Sequence, residues 1–113
     1  MTGERRLPED PPQLIQRCVR ERRVYWSYHV NMRMHERYIT RGQVFDAVAT
    51  YEVVESYPHD KYLPSYLVYA MAGGMVFHVL FAVDSEGDNV RVITAYHPDP
   101  NQWSSDFKTR RKP

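Results

Sequence analysis

The feature that most constrains the fold is an uncharged stretch of 22 residues at positions 62–83. That length approaches a membrane-spanning helix, but the stretch contains the pair Gly73–Gly74 and many β-branched and aromatic residues. Paired glycines permit the positive φ angles of a tight turn, and the surrounding residues favour strands. We therefore predict a β-hairpin with strands over 66–71 and 75–83, and no membrane span.

Strands are also predicted on both sides of this hairpin. Residues 52–57 alternate in side-chain type and stop at a proline, residues 89–96 follow a polar turn, and residues 24–28 form a short aromatic first strand. Strand 75–83 is apolar on both faces. It is therefore expected at the centre of the sheet, covered on both sides.

Helices are predicted mainly before the sheet. Asp10 precedes two prolines, which is typical of a helix start, and apolar residues then recur at helical spacing, so we predict a helix over 11–22. A second helix is predicted over 30–36. Thr40 and Gln43 have the spacing of a capping box, which predicts the start of a third helix.

The order of these elements predicts the fold class. After the last strand, Asp99–Pro100 predicts the start of a short C-terminal helix over 100–111 that carries Trp103 and Phe107 four apart. The whole chain, 1–113, is predicted to be a single α+β domain. Its N-terminal helices would pack on one face of a four- to five-stranded, mainly antiparallel sheet.

Cysteine content and the N-terminus set expectations about location. Cys18 is the only cysteine, so no intramolecular disulfide can form and a reducing compartment is favoured. The residue itself is expected to be a small buried side chain rather than a catalytic thiol. Residues 1–12 carry charge but no apolar segment of a secretion signal. We expect a cytoplasmic protein.

Charge is segregated along the chain, although the formal net charge is only +1. The net charge is +2 for residues 1–23, +2 for 24–41, −6 for 42–100 and +3 for 101–113. If the fold brings both ends and the early helices together, one face is basic, as in many nucleic-acid binders. The same asymmetry fits a charged protein partner or ordinary solvated surface.

His29, Arg33 and Arg37 follow one another at a spacing of four, which places them on one face of a helix. We call these three residues the basic ridge. Like charges at this spacing destabilise a helix by about 0.2–0.5 kcal/mol per pair, so the ridge favours an anionic ligand. Ion pairs with Glu36 or other acids are an equally good explanation.

Cleavage of RNA without a metal requires a base, an acid and cations that stabilise the developing phosphate charge. Arg33 and Arg37 are candidates for holding phosphate, as are cations elsewhere in the chain: Arg41, Lys108, Arg110 and Arg111. The candidate proton shuttles are His29, His78, Tyr96 and His97. A hydrogen-bonded core histidine is the alternative for His78. Because the histidines do not cluster with cysteines, no metal or cofactor is predicted.

Several segments resemble the bacterial domain-of-unknown-function family 4258. The run 28–57 does so through the basic ridge, Ile39, Thr40 and the strand VVESYP. The later segments FHVLFAVD and VRVITAYHPDP, and the spacing W-x-x-x-F-x-x-R-R that begins at Trp103, are similar to the same family. The resemblance covers about residues 24–111. Tyr38 departs from the glycine that is typical of its position in the family. The turn between the second and third helices can therefore differ from the turn of the family.

That family in turn resembles the RelE-like toxins, in which helices precede an antiparallel sheet and which are often encoded beside a zinc-finger antitoxin-like protein. The resemblance implies an mRNA endoribonuclease that acts on RNA or at the ribosome and is held in check by an antitoxin. Its implied catalytic positions are His29, Arg33, Arg37, His78 and Tyr96. A non-catalytic module that binds nucleic acid or protein is the alternative. The basic ridge can contribute to catalysis only if His78 or Tyr96 faces it.

Overall fold

A computed structural model describes residues 6–112, which form three α-helices, one short 3-10 helix and five strands. Residues 1–5 and 113 of the predicted domain lie outside the described residues. The helices are α1 (Pro11–Arg20), α2 (Tyr28–Glu36) and α3 (Arg41–Asp46), followed by the 3-10 helix Val48–Thr50. The strands are β1 (Val24–Trp26), β2 (Glu52–Tyr57), β3 (Ser65–Ala72), β4 (Met75–Asp84) and β5 (Asn89–Tyr96).

The five strands form one mixed sheet in the order β1-β5-β4-β3-β2. All neighbouring pairs are antiparallel except β1 and β5, which are parallel. The central hairpin turns at Gly73 and Gly74, whose φ angles of 58° and 77° lie in the region that glycine tolerates best. The predicted α+β class and the central position of β4 are confirmed.

The helices cover one face of this sheet, which we call the inner face. β4 contributes Phe77, Val79, Phe81 and Val83 to it, at alternate positions, and all four are fully buried in the hydrophobic core. From the helix side, α1 and α2 each contribute an apolar stripe to the same core. Cys18 belongs to the α1 stripe and is fully buried, as expected.

The turn after α2 has the geometry that a glycine would give, although the residue is Tyr38. Tyr38 has φ 59°, its N–H donates to the carbonyl of His35 at 3.1 Å, and the N–H of Ile39 donates to that of Met34 at 2.9 Å. These bonds are a Schellman motif, completed by burial of Ile39 and Met34. The chain then enters α3 through the predicted capping box of Thr40.

The predicted C-terminal helix over 100–111 is wrong. This segment consists of turns closed by an antiparallel bridge between Trp103 and Arg110, and the N–H of Ser104 donates to the carbonyl of Thr109 at 2.8 Å. The physical reason is local, because the Asp106 side chain accepts the N–H of Lys108 at 3.1 Å, a group that a helix would use within its own backbone. Within residues 6–112, no helix combines the length and apolarity required to cross a membrane.

Candidate functional site

The face of the sheet opposite the helices, which we call the outer face, carries polar side chains in two rows that cross four strands. Strand register places the residues of each row side by side, and alternation along each strand puts them on the same face. The first row is Glu52, Tyr69, His78 and Tyr96, and the second row is Glu55, Leu67, Leu80 and Thr94.

Residues 98–112, which we call the C-terminal segment, cover the first row at His78. Nε2 of His78 donates to the carbonyl of Phe107 at 2.8 Å, and its ring meets the indole of Trp103 edge-on with 4.6 Å between centroids. His78 is fully buried, Nδ1 has no hydrogen-bond partner in the part of the chain described, and burial lowers the pKa of the imidazole. This is the environment of the core-histidine alternative. A catalytic role for His78 stays a prediction.

A pocket of about 340 Å³ lies over the second row and has an apolar floor formed by Leu67 and Leu80. We call it the outer-face pocket. Its polar lining consists of Tyr57, Asp60, Thr94, Tyr96 and Arg110. Tyr96, predicted as a catalytic residue, therefore lines the pocket, and burial raises the pKa of its phenol. A phenol with a raised pKa keeps its proton at neutral pH and acts as a donor.

One end of the pocket is formed by Arg110, which pairs with the Glu55 carboxylate through two hydrogen bonds. Nε and Nη2 of Arg110 donate to Glu55 at 2.8 Å and 2.9 Å, and the guanidinium lies over the Trp103 ring. The Tyr57 hydroxyl donates to the same carboxylate. Arg110 holds the pKa of Glu55 below its ordinary value, so Glu55 is ionised at neutral pH. The pairing thus uses two of the three guanidinium nitrogens of Arg110.

The opposite end of the second row is reached by Arg37, which caps the C-terminus of α2. Its Nη1 donates to Thr94 Oγ1 at 3.2 Å and to the carbonyl of Ala95 at 2.8 Å. Beyond Trp26 at the end of β1, β5 has no neighbouring strand on this side, so Arg37 occupies an open sheet edge. The last residue of the basic ridge thus contacts a residue of the pocket wall.

His29 and Arg33 lie on α2 and point away from the second row into solvent. Both are exposed, and within residues 6–112 neither side chain takes part in a hydrogen bond or ion pair; His29 makes only a ring contact with Tyr28. The alternative explanation, ion pairs of Arg33 and Arg37 with Glu36 or other acids, is not seen among the residues described. The ridge therefore consists of two exposed basic groups, His29 and Arg33, followed by the half-buried Arg37, which bonds to Thr94 of the pocket wall.

The predicted RNA-binding cations have partners within the protein. Arg41 donates to Asn31 Oδ1 at 2.9 Å and lies over the Trp26 ring, and Arg111 donates to the carbonyl of Pro100 at 2.9 Å. Lys108 pairs with Glu52 at 2.6 Å. Each of these side chains contacts a neighbouring part of the protein. Their contact with RNA stays a prediction.

Some of the charges that are segregated along the sequence pair with one another in the fold. Lys108 and Arg110, from the basic end, pair with Glu52 and Glu55 of the acidic middle. Arg17, from the other basic end, pairs with Asp88 at 2.5 Å. These ion pairs neutralise part of the positive charge that was expected to form one basic face. His97 is also engaged, since its Nε2 donates to the carbonyl of Arg37 at 2.8 Å.

Sequence reasoning missed Glu55, Tyr57, Asp60 and Thr94. The period-2 pattern of β2 places Glu55 and Tyr57 on one face, but pairing with the register of β3 is needed to identify that face as the open one. Asp60 lies in a polar loop and accepts a hydrogen bond from Ser65 Oγ at 2.6 Å. Thr94 follows an irregularity in the register of β5.

The pocket and the surrounding described residues contain no group of three or more His, Cys, Asp or Glu side chains arranged to hold a metal ion. The family model of the domain of unknown function DUF4258 matches residues 26–97. That span contains α2, α3 and strands β2 to β5, and the whole C-terminal segment lies beyond it. No match was found among curated proteins. No solved structure matches either.

Proposed function

The chain belongs to the DUF4258 family, and from the chemistry of its outer-face pocket we propose that it is a metal-independent endoribonuclease related to the RelE-like toxins. One observation carries the proposal: a guanidinium, two phenols and a carboxylate line one pocket with an apolar floor, and a second guanidinium, that of Arg37, bonds to Thr94 of its wall. Guanidinium groups bind phosphate through paired N–H donors. An apolar floor of this size accommodates the base or ribose of a nucleotide.

The proposed reaction is attack of a ribose 2′-oxygen on the adjacent phosphorus. A base takes the 2′-OH proton, the bond from phosphorus to O5′ breaks, and an acid protonates O5′, which gives a 2′,3′-cyclic phosphate and a 5′-hydroxyl. Asp60 is the candidate base. Tyr96 is the candidate acid because burial raises its pKa and keeps it protonated. Arg110, which lines the pocket, and Arg37, which bonds to Thr94 of its wall, would stabilise the charge of the transition state.

The test is cleavage by purified protein of single-stranded RNA in the presence of a chelator, and separately of ribosome-bound mRNA in the magnesium buffer that intact ribosomes require. We expect cleavage by the wild type and a loss of about 100-fold or more in kcat for Tyr96→Phe, which removes one hydroxyl and keeps the ring. Tyr62→Phe is the matched control, because Tyr62 is an exposed tyrosine that does not line the pocket. Its kcat should equal that of the wild type.

Two outcomes contradict the proposal. One is the absence of cleavage by the wild type with and without ribosomes. The other is equal turnover of wild type and Tyr96→Phe. A cleavage that the chelator abolishes would retain the site but replace the metal-independent mechanism.

The proposal extends to a partner and a compartment. RelE-like toxins are inhibitory unless restrained, so we propose a zinc-finger-type antitoxin that binds this chain in the cytoplasm, where mRNA and ribosomes are present. Support comes from the family membership and from the position of all three α-helices before the antiparallel strands β2 to β5. Growth arrest on expression, relieved by the protein encoded next to it and absent for Tyr96→Phe, is the expected result.

A non-catalytic RNA-binding module is the second candidate. The observation that favours it is that the pocket lining contains no imidazole, because His78 is enclosed by the C-terminal segment and His29 lies on α2. This candidate predicts saturable RNA binding, weakened by salt, with no cleavage product even when every protein molecule is bound.

A further inference from the structure

Tyr38 combines an unfavourable backbone conformation with an unused side chain. Its φ of 59° lies in the left-handed region, where residues with a Cβ are disfavoured and glycine is the usual choice at the end of a helix. The side chain is 85% exposed, and within residues 6–112 it makes no hydrogen bond, ring contact or cation contact. The fold therefore gains no packing from a tyrosine that strains the turn.

The end of α1 shows what such a residue does when its role is structural. Arg22 occupies the same position of the same motif, with φ 62°, and the N–H of Arg23 donates to the carbonyl of Cys18 at 2.8 Å. The Arg22 guanidinium, however, lies 3.8 Å from the centroid of the Phe45 ring and donates to the carbonyl of Val19. Its side chain compensates the strain through contacts within the protein, whereas that of Tyr38 does not.

The surroundings of Tyr38 identify the kind of ligand that it fits. Tyr38 directly follows Arg37, which contacts the pocket wall at Thr94. The exposed Arg33 lies one helical turn before Arg37, toward the N-terminus of α2. From Arg37 the ridge extends about 12 Å to His29. A row of cations beside an exposed aromatic ring is the arrangement that binds single-stranded nucleic acid, through phosphates and stacked bases respectively.

We propose that Tyr38 and the basic ridge form a binding track for single-stranded RNA that leads into the outer-face pocket, with a base stacked on Tyr38 and a phosphate bound by Arg33. The inference rests on the proposed function in taking RNA as the ligand. It adds the substrate class, because a duplex has no unstacked base to place on Tyr38. Charge complementarity selects RNA over a basic or apolar protein surface.

The experiment measures binding of a fluorescent single-stranded 2′-O-methyl oligoribonucleotide by anisotropy. This probe lacks the attacking 2′-OH, so it stays intact whether or not the protein is a nuclease. We expect Tyr38→Gly to weaken binding by about 5- to 150-fold, the value of one stacked base. Because glycine suits the turn, the melting temperature should be equal to or higher than that of the wild type.

Two further variants separate stacking from charge and from general effects. Arg33→Gln should lower the slope of log K against log salt by about 0.7, the value of one phosphate contact, whereas Tyr38→Gly should leave that slope unchanged. Tyr62→Gly is the matched control, since Tyr62 has φ 74° and is 83% exposed but lies in the loop between β2 and β3. Its affinity should equal that of the wild type.

The inference is overturned if Tyr38→Gly binds the probe as tightly as the wild type, if Tyr62→Gly loses as much affinity, or if duplex RNA competes as well as single strands. No binding of the probe at low salt overturns it too, and would favour a protein partner for this surface. A Tyr38-dependent affinity without any cleavage of ordinary RNA would retain the track and contradict only the proposed nuclease activity.

Discussion

The two faces of the sheet are closed in physically different ways. The inner face is sealed by helices that bury Phe77, Phe81 and their aliphatic neighbours, together with Tyr51, whose hydroxyl donates to the carbonyl of Val44. The outer face is closed only in part, by a C-terminal segment held through ion pairs, one hydrogen bond to His78 and one buried ring, Trp103. Adjacent residues of the same strand, Phe77 and His78, therefore belong to a core and to a polar site.

Because of this difference, the inner face contributes most of the stability of the fold, whereas the polar groups of the candidate site lie on the outer face. Burial of apolar area is the main stabilising term in folding, and it is concentrated on the inner face. Exposed ion pairs contribute about 0–1 kcal/mol each, so Arg110 and Lys108 attach the C-terminal segment more weakly than the helices are attached. The outer face can accordingly carry ionised groups beside a pocket without disturbing the core.

The largest expected effect is on the inner face. Phe77→Ala should lower the free energy of unfolding by about 3–5 kcal/mol, because it leaves a cavity at a fully buried position. Urea denaturation followed by circular dichroism measures this. The control is Ile93→Ala on β5, where the side chain is half exposed and the cost should stay below about 0.5 kcal/mol. Equal losses for the two variants would contradict the assignment of the core.

Patterns confined to one element predicted the fold well, since the glycine turn, the capping box of Thr40 and the strand over 52–57 are all present. The C-terminal segment was mispredicted because the spacing of Trp103 and Phe107 fits a helix, whereas the Asp106 side chain binds the N–H of Lys108 instead. A short polar segment has several local hydrogen-bonding solutions. Only its contact with the sheet decides among them.

An intermediate effect is expected for Trp103→Ala. Removing the buried ring should release the C-terminal segment and raise its amide exchange rates by about tenfold or more, which corresponds to about 1.4 kcal/mol of local stability. The N–H groups of Ser104 and Arg111, bonded within the segment at 2.8 Å, report the change by hydrogen exchange. Amides of β4 should remain protected. Gln102→Ala, at an exposed neighbouring position, is the control. A uniform loss of protection in β4 and the segment would show that the two faces unfold together.

The site was less predictable than the fold. Tyr96 and Arg37 were identified by residue type and lie at the pocket, whereas His29 and Arg33 lie along α2 and His78 is enclosed. Residue type indicates what a side chain can do, but strand register decides which side chains meet. The partners of Arg110 and Lys108 come from β2, more than fifty residues earlier in the chain. No local pattern encodes that pairing.

The smallest expected effect is a pH dependence that belongs to the outer face. Burial lowers the pKa of His78 below its ordinary value of 6.5, so the unfolded chain takes up a proton more readily than the folded one and stability falls as the pH drops below about 6.5. Glu55, whose pKa Arg110 lowers, acts in a separate window, because its contribution is lost only as the pH falls below about 4.5.

Urea unfolding at about pH 7 and about pH 5.5 isolates the first window. The wild type should lose stability between the two values, and His78→Gln should lose less, whatever its stability at neutral pH, because the difference between the two conditions cancels any constant cost of the substitution. His59→Gln, which changes an exposed histidine in the loop before β3, should behave as the wild type does. If His78→Gln keeps the full pH dependence, the imidazole under the C-terminal segment is not the group that titrates, and the outer face contributes no acid sensitivity of its own in this range.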